Sequence, residues 1–202
     1  YNPTTNEICF PAGILQPPFF NTNADDAVNY GAIGVVISHE MTHGFDDQGR
    51  QFSKEGNFEN WWTDVDAEQF KQRTQVAIDY FNKIEVLPGL FANGELTQGE
   101  NIADLGGLVM GFEAFKKTPQ YLNNEIIGGF TPTQRYFLGH AQAWMMQFRP
   151  QELARSVKSD EHSPAKWRVL GPLQNNTDFY EAFGVKEGDP MWRPDSLRVK
   201  IW

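Results

Sequence analysis

Five consecutive residues carry the clearest chemical signal in the sequence. His39 and His43 enclose Glu40, Met41 and Thr42 in an H-E-x-x-H pattern. Positions four apart lie on one face of an α-helix, so both imidazole rings can reach a single metal ion. Glu40 lies about 100° round the helix from His39, close enough to act on a zinc-bound water. The segment therefore predicts a zinc site with Glu40 as the general base.

A catalytic zinc site takes three protein ligands and a water, so a further ligand must come from another segment. Glu100 and Asp104 lie four residues apart and would share one face of a helix. A ligand carboxylate could then lie beside a second carboxylate that accepts the free N–H of a ligand histidine. On spacing alone, two other interpretations stay open. Glu100 could form a capping box with Thr97, and Asp104 could be a solvated surface charge.

Other residues of these types receive simpler interpretations. His140 lies in an apolar helix and is expected to be structural, because the metal ligands are already accounted for. Asp46 or Asp47, just after the zinc helix, is expected to support a ligand. The adjacent Trp61 and Trp62 are expected to pack in the core.

The elements that must carry these residues are mainly helical, with few short strands. Hydrophobic periodicity and capping signals predict the following elements: a buried helix over 32–43 with Gly44 near its end, helices over 63–84 (capped by Thr63), 98–117 and 132–148 (with Thr131, Pro132 and Gln134 at its start), a helix over 178–183 stopped by Gly184, a strand over 8–10, and irregular structure over 150–176 apart from a short helix at 151–157. The pair Gly106 and Gly107 inside a helix predicts close packing against a neighbour.

The composition of the chain narrows the classes of partner and the location that are possible. The chain has 202 residues, the size of one domain or a large piece of one, and a formal net charge of −9. This acidic balance argues against nucleic-acid and anionic-membrane partners. No apolar stretch reaches the roughly 18 residues of a membrane span. The single cysteine, Cys9, excludes an intrachain disulfide, and we expect it to be buried.

Several segments resemble the neprilysin family of zinc endopeptidases, which has a gluzincin-type catalytic region. Residues 36–47 resemble the zinc helix of that family, and residues 99–104, with the sequence GENIAD, resemble its second zinc motif. Residues 10–20 resemble the stretch before the zinc helix. His162-Ser163-Pro164 with Arg168, and the closing residues 199–202, resemble its C-terminal part. The resemblance runs over essentially the whole chain in the right order.

The resemblance implies a role for each matching residue. His39, His43 and Glu100 would bind one zinc ion per chain, and Glu40 would be the general base. Asp104 would orient a ligand histidine. The oxyanion would be stabilised by His162, and a substrate carbonyl would be held by Arg168. A hydrophobic pocket for the residue after the scissile bond would be formed by Ile14, Phe19, Val36 and Trp144. The implied activity is hydrolysis of oligopeptides on the amino side of hydrophobic residues.

The sequence also departs from the family. The family carries a large N-terminal helical lobe, which is absent here, and an Asn-Ala pair that would lie just upstream of Tyr1. We therefore expect residues 1–202 to be a C-terminal catalytic region that works with the N-terminal part of the same precursor, as a separate or nicked chain. The alternative is a fragment or regulatory subunit that binds zinc but needs that partner for activity. The single cysteine favours a bacterial member. We expect an exported rather than a cytoplasmic protein.

Overall fold

The computed structural model describes residues 1–201, and Trp202, the last residue of the C-terminal match, lies outside the described residues. The helices within that range are α1 (Asp26–Asn29), α2 (Val35–Thr42), α3 (Asp64–Phe81), α4 (Gln98–Phe115), α5 (Pro119–Leu122), α6 (Pro132–Ala143), α7 (Pro150–Ser159), α8 (Ala165–Leu173) and α9 (Thr177–Phe183). The strands β1 (Glu85–Leu87) and β2 (Leu90–Phe91) form an antiparallel hairpin. The prediction of a mainly α fold with few short strands is confirmed.

The helix that carries the H-E-x-x-H motif is longer than predicted. It begins at Asp26, where the Asp25 side chain accepts a hydrogen bond from the backbone N–H of Val28. It then passes through a π-helical turn, Tyr30–Gly34, into α2. The polar residues Asp25, Asp26 and Asn29 concealed this start from the hydrophobic pattern, although Asp25 is a good N-cap. After α2, a 3₁₀ turn over His43–Phe45 includes the predicted stop, Gly44.

The glycine pair predicted to allow close packing lies where α4 crosses α2. A Cβ atom on Gly106 would lie 2.7 Å from the Thr42 side chain. On Gly107 it would lie 2.9 Å from the backbone nitrogen of His39. Side chains larger than hydrogen would therefore push the two helices apart. This approach brings together the two segments predicted to bind metal, and the prediction of close packing is confirmed.

Helix α6 begins as predicted but ends early. Thr131 and Gln134 form the expected capping box, with Pro132 in the first turn. The helix stops at Ala143, five residues before the predicted end at 148. Pro150 disfavours helical geometry at the residue before it and starts α7 instead. The chain between α6 and α7 is consequently irregular, and Met145 in it is 80% exposed.

Two other predictions of local structure are wrong. The region 150–176 is mostly helical, since α7 and α8 both lie in it, although the short helix expected at 151–157 is present within α7. Residues 8–10 form no strand, and the nearest pairing is an isolated bridge between Asn2 and Glu7. Hydrophobic spacing was a weak guide to α8 because Gly171 and Pro172 interrupt its sequence.

Aromatic side chains dominate the buried interior. The main cluster lies between α4 and α6 and is built from Ala27, Val35, Leu108, Phe112, Phe115, Tyr136, Phe137 and Leu173. The rings of Phe115 and Tyr136 stack with centroids 5.9 Å apart, and the Tyr136 hydroxyl donates to the Leu108 carbonyl. Cys9 is exposed and Trp61 is 48% exposed, so the predictions that they are buried are wrong. Across residues 1–201, every helix is too short or too polar to cross a bilayer.

Candidate active site

Three side chains from two helices converge on one point. His39 and His43 project from the end of the zinc helix, and their Nε2 atoms lie 2.9 Å apart. The Glu100 carboxylate reaches them from the first turn of α4, with oxygens 3.2 Å from His39 Nε2 and 3.4 Å from His43 Nε2. The side chain of Thr97 makes no capping bond at this helix start. The capping-box interpretation of Glu100 therefore does not describe the structure.

A second carboxylate lies behind each histidine. Asp104 Oδ1 is 2.9 Å from His39 Nδ1, an ion-pair contact rather than a well-directed hydrogen bond. Asp46 Oδ2 is 2.7 Å from His43 Nδ1, and its other oxygen accepts from the backbone N–H groups of Gln48 and Gly49. Both Nδ1 atoms are thus engaged, and both Nε2 atoms face Glu100. Asp104 is 4% exposed, which excludes a solvated surface charge.

The geometry of these donors fits a zinc ion. Ligands at roughly 2.0–2.1 Å from tetrahedral zinc lie about 3.3 Å from one another, close to the separations of the three donor atoms here. Two imidazole nitrogens and one carboxylate are a ligand set that zinc hydrolases use. Nδ1 atoms held by carboxylates are the usual support for metal-ligating histidines. His39, His43 and Glu100 therefore form a group that could hold the metal.

Without a metal ion, the nearby carboxylates favour the protonated form of His39. Burial lowers the pKa of His39, but Asp104 and Glu100 outweigh that effect and raise it to about 9. Burial raises the pKa of Glu100, but the contact with His39 and the nearby histidine charges bring it below its usual value. For Asp104, Arg168 and His39 overcome burial and hold the pKa well below its ordinary range. A metal ion bound here would displace the proton.

Glu40 lies in the cleft beside these ligands. It lines a cavity of about 560 Å³ together with His39, His43, Glu100 and His162. Its side chain is 25% exposed, so it can reach a ligand that enters from solvent. The amino nitrogen of Tyr1 contacts Glu40 Oε2, which places the first residue of the chain at the edge of this cleft.

His162 faces Glu100 from the loop between α7 and α8. Its Nε2 lies 3.2 Å from Glu100 Oε2. Asp160 fixes the ring, because one of its oxygens lies 2.9 Å from His162 Nδ1 and accepts from the His162 backbone N–H. The next residue, Ser163, donates to the Asn101 side chain on α4 at 2.7 Å. The loop is therefore tied to the helix that carries the carboxylate ligand.

Arg168 connects the same carboxylates to the apolar side of the cleft. Its Nε and Nη2 donate to the two oxygens of Asp104 at 2.9 and 2.8 Å. Nη2 also lies 3.5 Å from Glu100 Oε2. The guanidinium lies over the Trp144 ring, 4.1 Å from its centroid. Two-point pairing and ring contact hold this side chain in one orientation.

The four residues assigned to the hydrophobic pocket line a single small cavity. Its volume is about 180 Å³, and its lining includes Ile14, Phe19, Val36 and Trp144. His39, Glu40, His162 and Arg168 complete its polar side. The rings of Phe19 and Trp144 meet edge to face, with centroids 6.2 Å apart. The cavity therefore adjoins His39, one of the predicted metal ligands, and Glu40.

Some of the residues around the site were not predicted from the sequence, and one was predicted only as one of two alternatives. Asp160 was not singled out, although its position two residues before His162 is typical of an Asp side chain that bonds to the nearby backbone. Glu161 and Val35 also line the cavities and were not named. Asp46 was predicted only as one of two alternatives, and the structure selects it over Asp47 as the partner of His43. His140, expected to be structural, is 1% exposed, within the interior.

Comparison with known proteins identifies the family. The sequence model of peptidase family M13 matches residues 1–199. This chain belongs to peptidase family M13. Membrane metallo-endopeptidase-like 1 of Mus musculus is 42% identical over 207 residues, covering 100% of this chain and 27% of the relative. Neprilysin of Homo sapiens is 40% identical, with the same two coverages. The resemblance to the neprilysin family is confirmed.

Solved structures of M13 proteins agree with this fold. A crystal structure of Mycobacterium tuberculosis zinc metalloprotease Zmp1 in complex with an inhibitor has a TM-score of 0.93 and 43% identity, covering 100% of this chain and 32% of that one. PepO from Lactobacillus rhamnosis HN001 has a TM-score of 0.90 and 35% identity, covering 100% and 30%. The M13 chain described here spans about a quarter of the length of the curated relatives it matches.

Proposed function

We propose that this M13 chain supplies the catalytic centre of a zinc-dependent endopeptidase. One observation carries the proposal. His39, His43 and Glu100 place their donor atoms within 3.4 Å of one another, in the same cavity as Glu40. Membership of a peptidase family whose solved relatives include a zinc metalloprotease supports the same conclusion.

The roles of the residues follow from chemistry and position. Zinc bound by these three ligands would act as a Lewis acid and lower the pKa of water to about 7. Glu40 takes a proton from the attacking water and passes it to the leaving amine. Asp104 and Asp46 fix the orientation and tautomer of the two histidines.

Two further groups act on the substrate itself. His162 Nε2 points into the cleft because Asp160 holds Nδ1, so this ring can donate to the oxyanion that develops during attack. Arg168 uses Nε and Nη2 on Asp104, which leaves Nη1 as the donor for a substrate backbone carbonyl. Its fixed orientation means that little side-chain entropy is lost when the substrate binds.

The small cavity sets the specificity in this proposal. Ile14, Phe19, Val36 and Trp144 give it apolar walls suited to a hydrophobic side chain. His39 and Glu40 also line it, so the side chain it holds would lie beside the reacting bond. The resemblance to the neprilysin family assigns that side chain to the residue after the scissile bond. We therefore propose cleavage of oligopeptides on the amino side of hydrophobic residues.

Digestion of a mixed peptide library tests this function. We expect cuts before Phe, Leu and similar residues, abolished by a chelator and restored by zinc. Val36→Ala should widen the cavity and shift the preference towards larger side chains. Cuts predominantly before charged residues would contradict the specificity. Cleavage that persists after complete metal removal would contradict the zinc mechanism.

We also propose that the active protein includes an N-terminal part of the same precursor, as a separate or nicked chain. The curated relatives are about four times longer than this chain, and large apolar side chains such as Phe58 and Met145 are exposed on it. An SDS gel and intact mass of the protein purified from its source test this. A sole, soluble, monomeric species near 23.0 kDa would contradict it.

An exported location is proposed in preference to a cytoplasmic one. The name of the mouse relative, membrane metallo-endopeptidase-like 1, supports it. Fractionation of the source cells, with antibody detection, tests the location. Recovery of the protein only with cytoplasmic markers would contradict it.

A further inference from the structure

A second group of metal-ligand side chains lies at the mouth of the cleft. Glu100, Glu161 and His162 each offer one ligand atom, and these atoms lie within 4.8 Å of one another. Glu100 belongs to both groups, since its Oε2 is 3.2 Å from His39 Nε2 and 3.2 Å from His162 Nε2. One half-buried carboxylate oxygen thus lies 3.2 Å from the Nε2 atoms of two histidines.

His162 has the support that a ligating histidine requires. Asp160 lies 2.9 Å from its Nδ1, which leaves Nε2 as the atom that faces Glu100. The same arrangement, a carboxylate on Nδ1 and an open Nε2, holds at His43 in the first group. His162 is therefore oriented as a metal ligand as well as a donor to substrate.

Glu161 makes the second group accessible from solvent. It is exposed, and it lines the same cavity of about 560 Å³ as Glu100 and His162. Asp46, Asp47 and Glu95 line this cavity too, so its field attracts cations. One imidazole and two carboxylates suit zinc and similar transition metals, whereas calcium takes oxygen ligands alone.

We propose that Glu100, Glu161 and His162 form a second, weaker transition-metal site that overlaps the first and fills only when zinc is in excess. The second site is weaker because it has one nitrogen donor instead of two, is more exposed, and shares its carboxylate with the first site. Repulsion between two nearby cations lowers its affinity further.

Filling the second site should inhibit peptide cleavage, a consequence that rests on the function proposed above. A cation there would occupy His162 Nε2, the atom assigned to the oxyanion, and would compete for the carboxylate of Glu100. Inhibition should therefore appear as zinc rises above one equivalent and should weaken as peptide concentration increases. Calcium at the same concentration should have no such effect.

Zinc titration of the purified protein tests the second site without any need for activity. Wild type, Glu161→Gln and the control Glu187→Gln are each loaded with one zinc equivalent and then titrated with more zinc by calorimetry. Glu187 is an exposed turn residue outside the lining of both cavities, so its substitution removes an equal charge elsewhere. We expect a second equivalent in all three, with roughly tenfold or more weaker affinity in Glu161→Gln only.

The other outcomes overturn the inference in distinguishable ways. A second equivalent that binds Glu161→Gln as tightly as wild type, or that is absent from wild type, would contradict the second site. Equal weakening of both equivalents in Glu161→Gln would show that Glu161 acts on the first site, which also contradicts it. Failure of wild type to hold even the first equivalent would instead contradict the zinc centre on which the peptidase proposal depends.

Discussion

His162 shows how a single side chain here depends on its neighbours for a role. The residue lies in an exposed loop, yet Asp160 fixes one ring nitrogen and Ser163 ties the loop to Asn101 of α4. A histidine held in this way is already oriented as a donor before substrate arrives. Preorganised donors of this kind account for a large share of the rate enhancement in acyl transfer.

Replacing His162 therefore tests its assigned role. His162→Phe should lower kcat by roughly 10²–10³ and leave the first zinc equivalent in place, because the ring is not one of its three ligands. Steady-state kinetics and zinc content of the purified variant give the two readouts. Asp160→Asn should have a smaller effect on kcat in the same direction. A His162→Phe enzyme with wild-type kcat would contradict the role.

The buried His140 should make the stability of the folded chain depend on pH. Burial lowers its pKa from the ordinary 6.5 to about 4, with partial opposition from the charge of Asp104. Between these two pH values the unfolded chain binds the proton and the folded chain does not. The free energy of unfolding should therefore fall as the pH drops from about 6.5 to about 4, by roughly 3 kcal/mol from this residue.

Urea unfolding of wild type and His140→Phe at pH 7.5 and pH 4.5 measures this contribution. The substitution keeps an aromatic ring but removes the titrating group. The loss of stability at the lower pH should be smaller in the variant by up to about 3 kcal/mol. Equal losses in the two proteins would show that His140 does not titrate in this range.

Part of the site could be predicted from residue types and their spacing alone. The i, i+4 pairs His39/His43 and Glu100/Asp104 require only helical geometry, so their shared faces could be read directly. The roles of His162 and Arg168 came from family resemblance, because nothing local links a loop histidine to a glutamate 62 residues earlier. Glu161 could not be found from the sequence, since its relation to Glu100 depends on how the loop between α7 and α8 packs against α4.

At the scale of elements, the crossing of α2 and α4 creates the proposed metal centre. His39 on α2 and His43 in the turn after it supply one part of the proposed ligand set, and Glu100 on α4 supplies the other. Gly106 and Gly107 allow the backbones to approach closely enough for Glu100 to reach both histidines. Asp104 and Arg168 add a buried two-point ion pair between α4 and α8.

Substitution of one interface glycine tests this packing. Gly107→Ala places a Cβ 2.9 Å from the backbone of α2 and should destabilise the fold by about 1–3 kcal/mol, despite the better helix propensity of Ala. Gly13→Ala is the matched control, because its Cβ would meet no atom within 4 Å. Urea unfolding of both variants measures the two changes in stability. A Gly107→Ala protein as stable as Gly13→Ala would contradict the close-packing account.

The predicted helix boundaries were accurate where capping residues mark them. The caps at Thr63 and Thr131 are present, and Gly184 ends α9 in a left-handed conformation. Errors occurred where tertiary packing overrides local pattern. The extension of the zinc helix back to Asp26, and the short helix α8 with its internal Pro172, depend on contacts that no periodicity shows.

At the scale of the whole molecule, metal binding should be coupled to folding. The proposed ligands lie on α2, the turn after it and α4, and their carboxylate supports Asp46 and Asp104 lie on the loop after α2 and on α4. These groups meet only in the folded chain. Zinc that binds the folded form alone stabilises it by roughly 2.7 kcal/mol at a hundred times its Kd. Thermal unfolding should show a higher Tm with zinc than with chelator. Glu100→Gln should abolish most of this shift, and a full shift in that variant would contradict the ligand assignment.

The most direct test of the central claim combines zinc content with peptide cleavage in wild type and Glu40→Gln. The protein is purified with any N-terminal part it retains, and a quenched peptide with a central Phe or Leu is the substrate. We expect one zinc per chain in both proteins and cleavage only by wild type, since the proposed role of Glu40 is that of a base and not of a ligand. Wild-type cleavage by Glu40→Gln, or a wild-type protein that cleaves without zinc, would contradict the account.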